Sequence, residues 1–352
     1  MAHGHFDYLG GHMLKRVVSG LITLTCFTMT VSSAHATLLR VYMDWYPNIE
    51  FAGLYAAQEK GWYKAAGIDL ELVFEGLDII PNVLKGKADI GMHSGHDIIR
   101  HVGAGENIKA FAAQYQLNPN SIVVGQDSGI SSVKELKGKT LGVFAPQDRD
   151  MYRVMLGYHG LTLDDVKFKE IKTFKEAEII EILKSKQVDA IIAWEFNWTV
   201  TFALLGYQVR VFPGYENGFH FYGTVFFAKP EFIKSQRALL TKFIEVTFKG
   251  WKEVYRNPEY AVRQVIEKRY SPERYINGSK ELTYQQQLSE LKLRRRYFIE
   301  GVGEEKMGHM TQFQWNRGLA IAKQYGLIDS KSKLQSKDVF DDSVLRKVRS
   351  SP

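Results

Sequence analysis

The chain has 352 residues, 45% hydrophobic and 24% charged, with thirty glycines, nine prolines and one cysteine. This composition excludes collagen, low-complexity disorder and a disulfide-stapled miniprotein, and the length favours two lobes over one. The formal net charge of +7, from 46 basic and 39 acidic residues, is modest for this size and does not call for nucleic acid; the one dense basic run, Lys292 to Arg296, reads as a solvated helix face.

In chain order, Lys15-Arg16 precede an uncharged stretch, Val17 to Val31, and then the small-residue pattern Ala34-His35-Ala36. This is the order of a secretory signal, with cleavage expected before Thr37 and Met13 the better start. Residues 1–36 are therefore read as leader and signal peptide, and the remainder as exported to the periplasm. Cys26 falls inside the removable segment, so no cysteine is expected in the mature chain.

From Leu38 the sequence alternates in β fashion to Met43; a helix is expected over 49–60, ended by Gly61, and a second strand over 68–74. The unit repeats: helix 79–85, strand 88–92, helix 97–102, strand 108–113. Strands alternating with helices predict a parallel sheet covered on both faces. Ser121 to Gly125 leaves the first unit, and a second α/β series is expected: strand 140–144, helix 150–158, strand 167–171, amphipathic helix 176–186 and strand 190–193, closed by Val209 to Phe212. A return strand at 223–228 leads into a helical run to about Tyr325. Two α/β units joined by two crossings give lobe 1 over 37–125, lobe 2 over 126–222, a return and helical part of lobe 1 over 223–330, and a C-terminal tail over 331–352. The cleft between such lobes is the expected ligand site.

In α/β sheets ligands gather outside the carboxyl ends of the strands, which selects particular residues. Trp45 and Asn48 follow the first strand, His93 and Ser94 the third, Tyr115 the fourth, and Trp194 with Glu195 the most hydrophobic strand of the second series. Aromatic rings there suit stacking on a flat heterocycle, and a carboxylate flanked by Trp194 and Trp198 suits an exocyclic amine or ring N–H. Asp148 or Asp150 can cap the helix that follows, or the exposed amides there can take an anionic or polar ligand edge. His93, His96 and His101 lack metal-site spacing, so no metal is expected. Nucleophile elbow, Walker loop, dinucleotide fingerprint and HExxH are all missing from the sequence, so no catalytic residue and no cofactor are expected.

Several of these residues also carry a resemblance. Trp45-Tyr-Pro-Asn48, Ala52-Gly-Leu-Tyr-Ala-Ala57, Lys60-Gly-Trp-Tyr63, Gly67-Ile-Asp-Leu70, Gly86-Lys-Ala-Asp-Ile-Gly91, Leu136-Lys-Gly-Lys139 and Val188-Asp-Ala190 together resemble periplasmic substrate-binding proteins of ABC importers for thiamine pyrimidine precursors. The likeness covers nearly all of 38–330. It implies an α/β, two-lobed type II periplasmic binding protein that closes at a hinge. Its partners would be a small ligand and an ABC permease in the inner membrane, with a monomeric receptor. It further implies a pyrimidine site drawing on Trp45, Asn48, Tyr115, Trp194, Glu195 and the Phe221-Tyr222 segment. The same scaffold carries riboflavin and alkanesulfonates. It also includes a pyrimidine-synthesising enzyme in which a lysine stands at His93, the consumed histidine at Asp97 and a cysteine cluster at Phe219 to Gly223. All three are absent here, which favours the receptor.

Overall fold

The computed structural model describes residues 36–346, so the expected signal peptide, apart from Ala36, lies outside the described residues. Ten strands form two five-stranded sheets. The first contains β1 (Thr37–Tyr42), β2 (Ile68–Val73), β3 (Ile90–Ser94), β4 (Lys109–Ala113) and β10 (Thr224–Ala228), in the order β2-β1-β3-β10-β4. The second contains β5 (Asn120–Gly125), β6 (Thr140–Val143), β7 (Lys167–Glu170), β8 (Ala190–Trp194) and β9 (Val209–Pro213), in the order β7-β6-β8-β5-β9.

Each sheet is mixed, which corrects the all-parallel expectation. β10 runs antiparallel to β3 and β4, and β5 antiparallel to β8 and β9. The odd strand in each case is the one that enters straight from a crossing. The parallel strands end at the cleft, so a chain arriving from the cleft must run the other way. For the same reason the lobe boundary moves: β5 pairs inside the second sheet, so the first lobe ends at β4 and not at 125. The crossings are 114–119 and 214–223.

The two lobes repeat a local device. Asp89 Oδ2 accepts from the Arg40 N–H at 2.9 Å, and Asp189 Oδ2 from the Thr140 N–H at 2.8 Å. In each lobe the carboxylate just before the third parallel strand accepts from a backbone N–H of the first, Arg40 within β1 and Thr140 at the start of β6. The turn leading to it needs a left-handed residue, supplied by Gly86 (φ 79°) in one lobe and by Lys186 (φ 53°) in the other.

Helices α1 (Ala52–Glu59), α2 (Trp62–Ala65), α3 (Ile79–Leu84) and α4 (Gly95–Gly103) belong to the first lobe, and α5 (Asp148–Tyr158), α6 (Glu176–Lys184) and α7 (Trp198–Leu204) to the second. After β10 come α8 (Pro230–Ser235), α9 (Arg237–Arg256), α10 (Pro258–Lys268), α11 (Lys280–Ile299) and α12 (Gln312–Gln324). Along α9, Leu240, Phe243, Ile244, Thr247, Phe248, Trp251 and Val254 are buried at helical spacing. Gly250 meets Gly53 of α1 so closely that a Cβ on Gly250 would lie 2.0 Å from the Gly53 carbonyl oxygen. The described part of the C-terminal tail packs on the first lobe: Asp341 N–H donates to Ala110 O at 2.8 Å, and Val344 is fully buried. Its apolar residues cover β4 and α9, which would otherwise be wet.

Candidate functional site

A cleft of about 260 Å³ lies between the carboxyl ends of the two sheets. From the first lobe it is lined by Asp44 and Trp45 after β1, by Glu50, Leu77 and Ile79, and by His93, Ser94, His96 and Asp97 around the β3–α4 junction. Across from them stand Phe144, Gln147, Asp148 and Met151 after β6, Phe174 after β7, and Trp194, Asn197 and Trp198 after β8.

Aromatic rings join the two sides. Trp45 meets Phe174 edge-on with centroids 5.7 Å apart, Phe174 stacks on Phe144 at 5.5 Å, and Phe144 meets Trp198 at 4.8 Å. Phe144 and Phe174 escaped the sequence reading, although each follows a strand of the second sheet and the same strand-end rule would have selected them.

Asp97 organises the polar side of the cleft. Its Oδ2 lies 3.1 Å from His93 Nδ1 and 3.4 Å from His96 Nε2, and Oδ1 accepts from Arg100 Nη2 at 2.9 Å. Burial works against its charge, yet His96, His93 and Arg100 hold the Asp97 carboxyl well below the ordinary carboxylate range. Burial also opposes a charged His93, but the Asp97 carboxylate outweighs it and the imidazole titrates above its usual value. His96, where burial wins, titrates below its usual value. These side chains pair with one another, and no group of three or more acidic, histidine or cysteine residues among the described residues is disposed to hold a metal.

Of the predicted residues, Trp45, His93, Ser94 and Trp194 line the cleft. The other four stand behind it. Asn48 is buried, and its Oδ1 accepts from the Glu50 N–H at 2.7 Å, starting the first turn of helix. Tyr115 is fully buried behind Trp194, its hydroxyl taking Arg294 Nη1 at 2.6 Å. Glu195 interacts with Tyr297, Arg296 and Tyr215 instead of the cleft, and burial raises its carboxyl. Tyr222 is buried against Trp315, and its hydroxyl accepts from the Thr311 N–H at 2.8 Å. Tyr115 and Glu195 follow their strands closely and turn away from the cleft, whereas Asn48 and Tyr222 are held by the backbone N–H groups of Glu50 and Thr311.

Asp148 was also redirected. Its Oδ2 accepts from Phe144 N–H at 2.6 Å and Ala145 N–H at 3.1 Å, so it ties down the loop ahead of α5 rather than capping the helix. The basic run is likewise only partly solvated, because Arg294 is fully buried and paired with Glu290.

Asn118, in the first crossing, was not foreseen. Its Nδ2 donates to Ser94 Oγ at 2.9 Å and to Tyr222 O at 3.0 Å, while its Oδ1 accepts from Asn120 N–H at 3.1 Å. One buried amide thus ties both crossings to the end of β3.

The profile of the family described as NMT1/THI5 like matches residues 48–261. Riboflavin-binding protein RibY of Chloroflexus aurantiacus is 25% identical over 240 residues, which cover 65% of this chain and 66% of that protein. The formylaminopyrimidine-binding protein of Halalkalibacterium halodurans is 22% identical over 262 residues, 72% of this chain and 78% of that protein. A solved structure from Bordetella bronchiseptica RB50 superposes with a TM-score of 0.64 at 18% identity, covering 90% of this chain and 98% of its own, and so shares the fold. With more than half of its length matched by the profile and its two sheets arranged around one cleft, the chain belongs to the NMT1/THI5-like family.

Proposed function

We propose that the protein is an extracytoplasmic solute receptor that captures a pyrimidine-type thiamine precursor, or a similar small heterocycle, between its lobes and delivers it to an ABC permease. The observation that carries this reading is the set of rings facing the cleft from both lobes: Trp45 from the first, and Trp194, Phe144, Phe174 and Trp198 from the second. A flat ring held between them gains stacking from two bodies at once, which stabilises the closed arrangement over the open one. The two crossings, tied by Asn118, form the hinge, and the Arg100–Asp150 pair at 3.9 Å bridges the lobes beside the site.

The lining holds no lysine or arginine, which favours a heterocycle over an alkanesulfonate, since a desolvated anion needs a cation or several aimed donors. The names of the relatives in riboflavin and formylaminopyrimidine binding agree with an aromatic ligand. Ser94 Oγ lies 2.6 Å from His96 Nδ1, but the same hydroxyl takes Asn118 Nδ2 at 2.9 Å and burial lowers the imidazole, so the reading favoured is a ligand held rather than converted.

Mass spectrometry of the small molecule copurifying with the protein tests the reading. Recovery of an unmodified pyrimidine supports it; recovery of an alkanesulfonate, or steady product formation from an added pyrimidine, overturns it.

A further inference from the structure

The loop between β8 and α7 leaves a strand of the second lobe but is seated in the first. Phe196 is fully buried, and it belongs to the same apolar cluster as Phe111, Phe226 and Trp251 of the first lobe. Its ring meets Tyr297 edge-on at 4.9 Å and Tyr115 at 5.9 Å, and the Arg294 guanidinium lies 4.6 Å from its centroid. The residues on either side are held as well. Glu195 N–H donates to Pro119 O at 3.0 Å, and Asn197 Nδ2 donates to Glu290 Oε1 at 3.0 Å.

The rings of the cleft wall divide accordingly. Trp194 packs with the first-lobe cluster although its strand is central to the second sheet, whereas Phe144 and Trp198 pack with Ile191 and Phe202 of the second lobe. A desolvated ion pair adds little net stability, and its best-attested use is to fix one arrangement over others. On α11 the Glu290–Arg294 pair has such a task within reach. Glu290 takes the amide of Asn197, while Arg294 covers the ring of Phe196 and donates to the Tyr115 hydroxyl. Burial strengthens both the cation–π contact and the hydrogen bond to the carboxylate.

We propose that Phe196, Glu290 and Arg294 are positioning residues that clamp the β8–α7 loop to the first lobe, so that Trp194 and Asn197 stand ready beside Trp45 before a ligand arrives, while Phe144 and Phe174 travel with the second lobe. The inference rests on the reading of the cleft as a heterocycle site and adds an order to capture. A ring first meets Trp45 and Trp194, and closure then brings Phe144 and Phe174 onto it. A half-site formed in advance spares binding the cost of ordering it.

The test uses the full-length protein carrying fluorotryptophan, read by fluorine NMR with the Trp194 line assigned from Trp194→Phe, together with calorimetric titration of formylaminopyrimidine and of riboflavin. Without ligand, the wild type is expected to show one narrow Trp194 line. The double change Glu290→Met with Arg294→Met removes the clamp, and because both charges go together the thermal midpoint should stay near wild type. It should split or broaden the Trp194 line and weaken binding by at least about tenfold. Phe196→Ala should have the same two effects, and Phe196→Leu, which keeps an apolar plug in the socket, should recover most of the affinity. A heterogeneous Trp194 line in the ligand-free wild type, or a narrow line and unchanged affinity in the double variant, overturns the inference and leaves the heterocycle reading standing. If neither compound binds the wild type, the heterocycle reading falls, and the fluorine lines decide the clamp by themselves: broadening in the double variant supports it, and an unchanged line overturns it.

Discussion

Asn197 Nδ2 donates to Glu290 Oε1 at 3.0 Å, linking a wall residue of the cleft to a fully buried ion pair. Glu290 is paired with Arg294 one turn along α11, and the pair is surrounded by partners from both lobes. Gln286 and Gln287 donate to Glu290 Oε2, Gln287 Oε1 accepts the Ile49 N–H at 2.8 Å, and Arg294 reaches Tyr115. Helix α11 therefore holds the floor of the cleft through polar contacts that no solvent can replace.

Removing one half of such a pair strands the other. Glu290→Gln is expected to destabilise the protein by about 3–5 kcal/mol in urea unfolding, whereas the double change Glu290→Met with Arg294→Met should recover most of that loss. A single variant with the wild-type midpoint would show that the pair does not hold this region.

The left-handed turn before Asp189 offers a gain. Lys186 is exposed and adopts φ 53° where the equivalent turn of the first lobe uses glycine. Lys186→Gly should relieve the strain and raise stability by about 0.5–1 kcal/mol, after allowing for the greater freedom of glycine in the unfolded chain. A lowered thermal midpoint would contradict this.

The His93–Asp97 contact predicts a pH dependence. His93 titrates above its ordinary value when folded, through Asp97 and Asp44 and against burial and Arg100. Its contribution is thus fully present below the unfolded imidazole value of about 6.5 and fades as pH rises through the folded value. The stability difference between wild type and His93→Gln should therefore be larger near about pH 5 than near about pH 9. A difference that stays flat, or grows, across that range would exclude a charged His93.

Ligand affinity should separate residues that line the cleft from those behind it. Trp45→Ala is expected to weaken ligand binding by at least about tenfold while leaving the thermal midpoint near wild type, since the ring lies at the half-buried rim against Tyr46 and Phe174. Glu195→Ala, whose side chain interacts with Tyr297 and Tyr215, should change affinity less than Trp45→Ala does. Calorimetry on the two variants decides the order, and a larger loss in Glu195→Ala would return that carboxyl to the site.

Local pattern was enough for much of this protein. Alternation and helical spacing located the strands of both sheets apart from β5 and β9, Gly61 marked a helix end, and the rule that loops at strand carboxyl ends face a ligand singled out Trp45, His93, Ser94 and Trp194. Those features depend on neighbours in sequence, so the sequence by itself determined them. Strand direction for β5 and β10, the membership of β5 in the second sheet, and the inward turn of Asn48, Tyr115, Glu195 and Tyr222 were decided by partners far away in the chain. Arg294 shows why: in sequence it is one of three consecutive arginines, yet Glu290 beneath it and Tyr115 from 179 residues away make burial of its charge tolerable. Only the tertiary structure brings those groups within hydrogen-bonding reach, and only there do Asp44 Oδ1 and Glu50 Oε1 emerge as buried oxygens with no donor among the described residues.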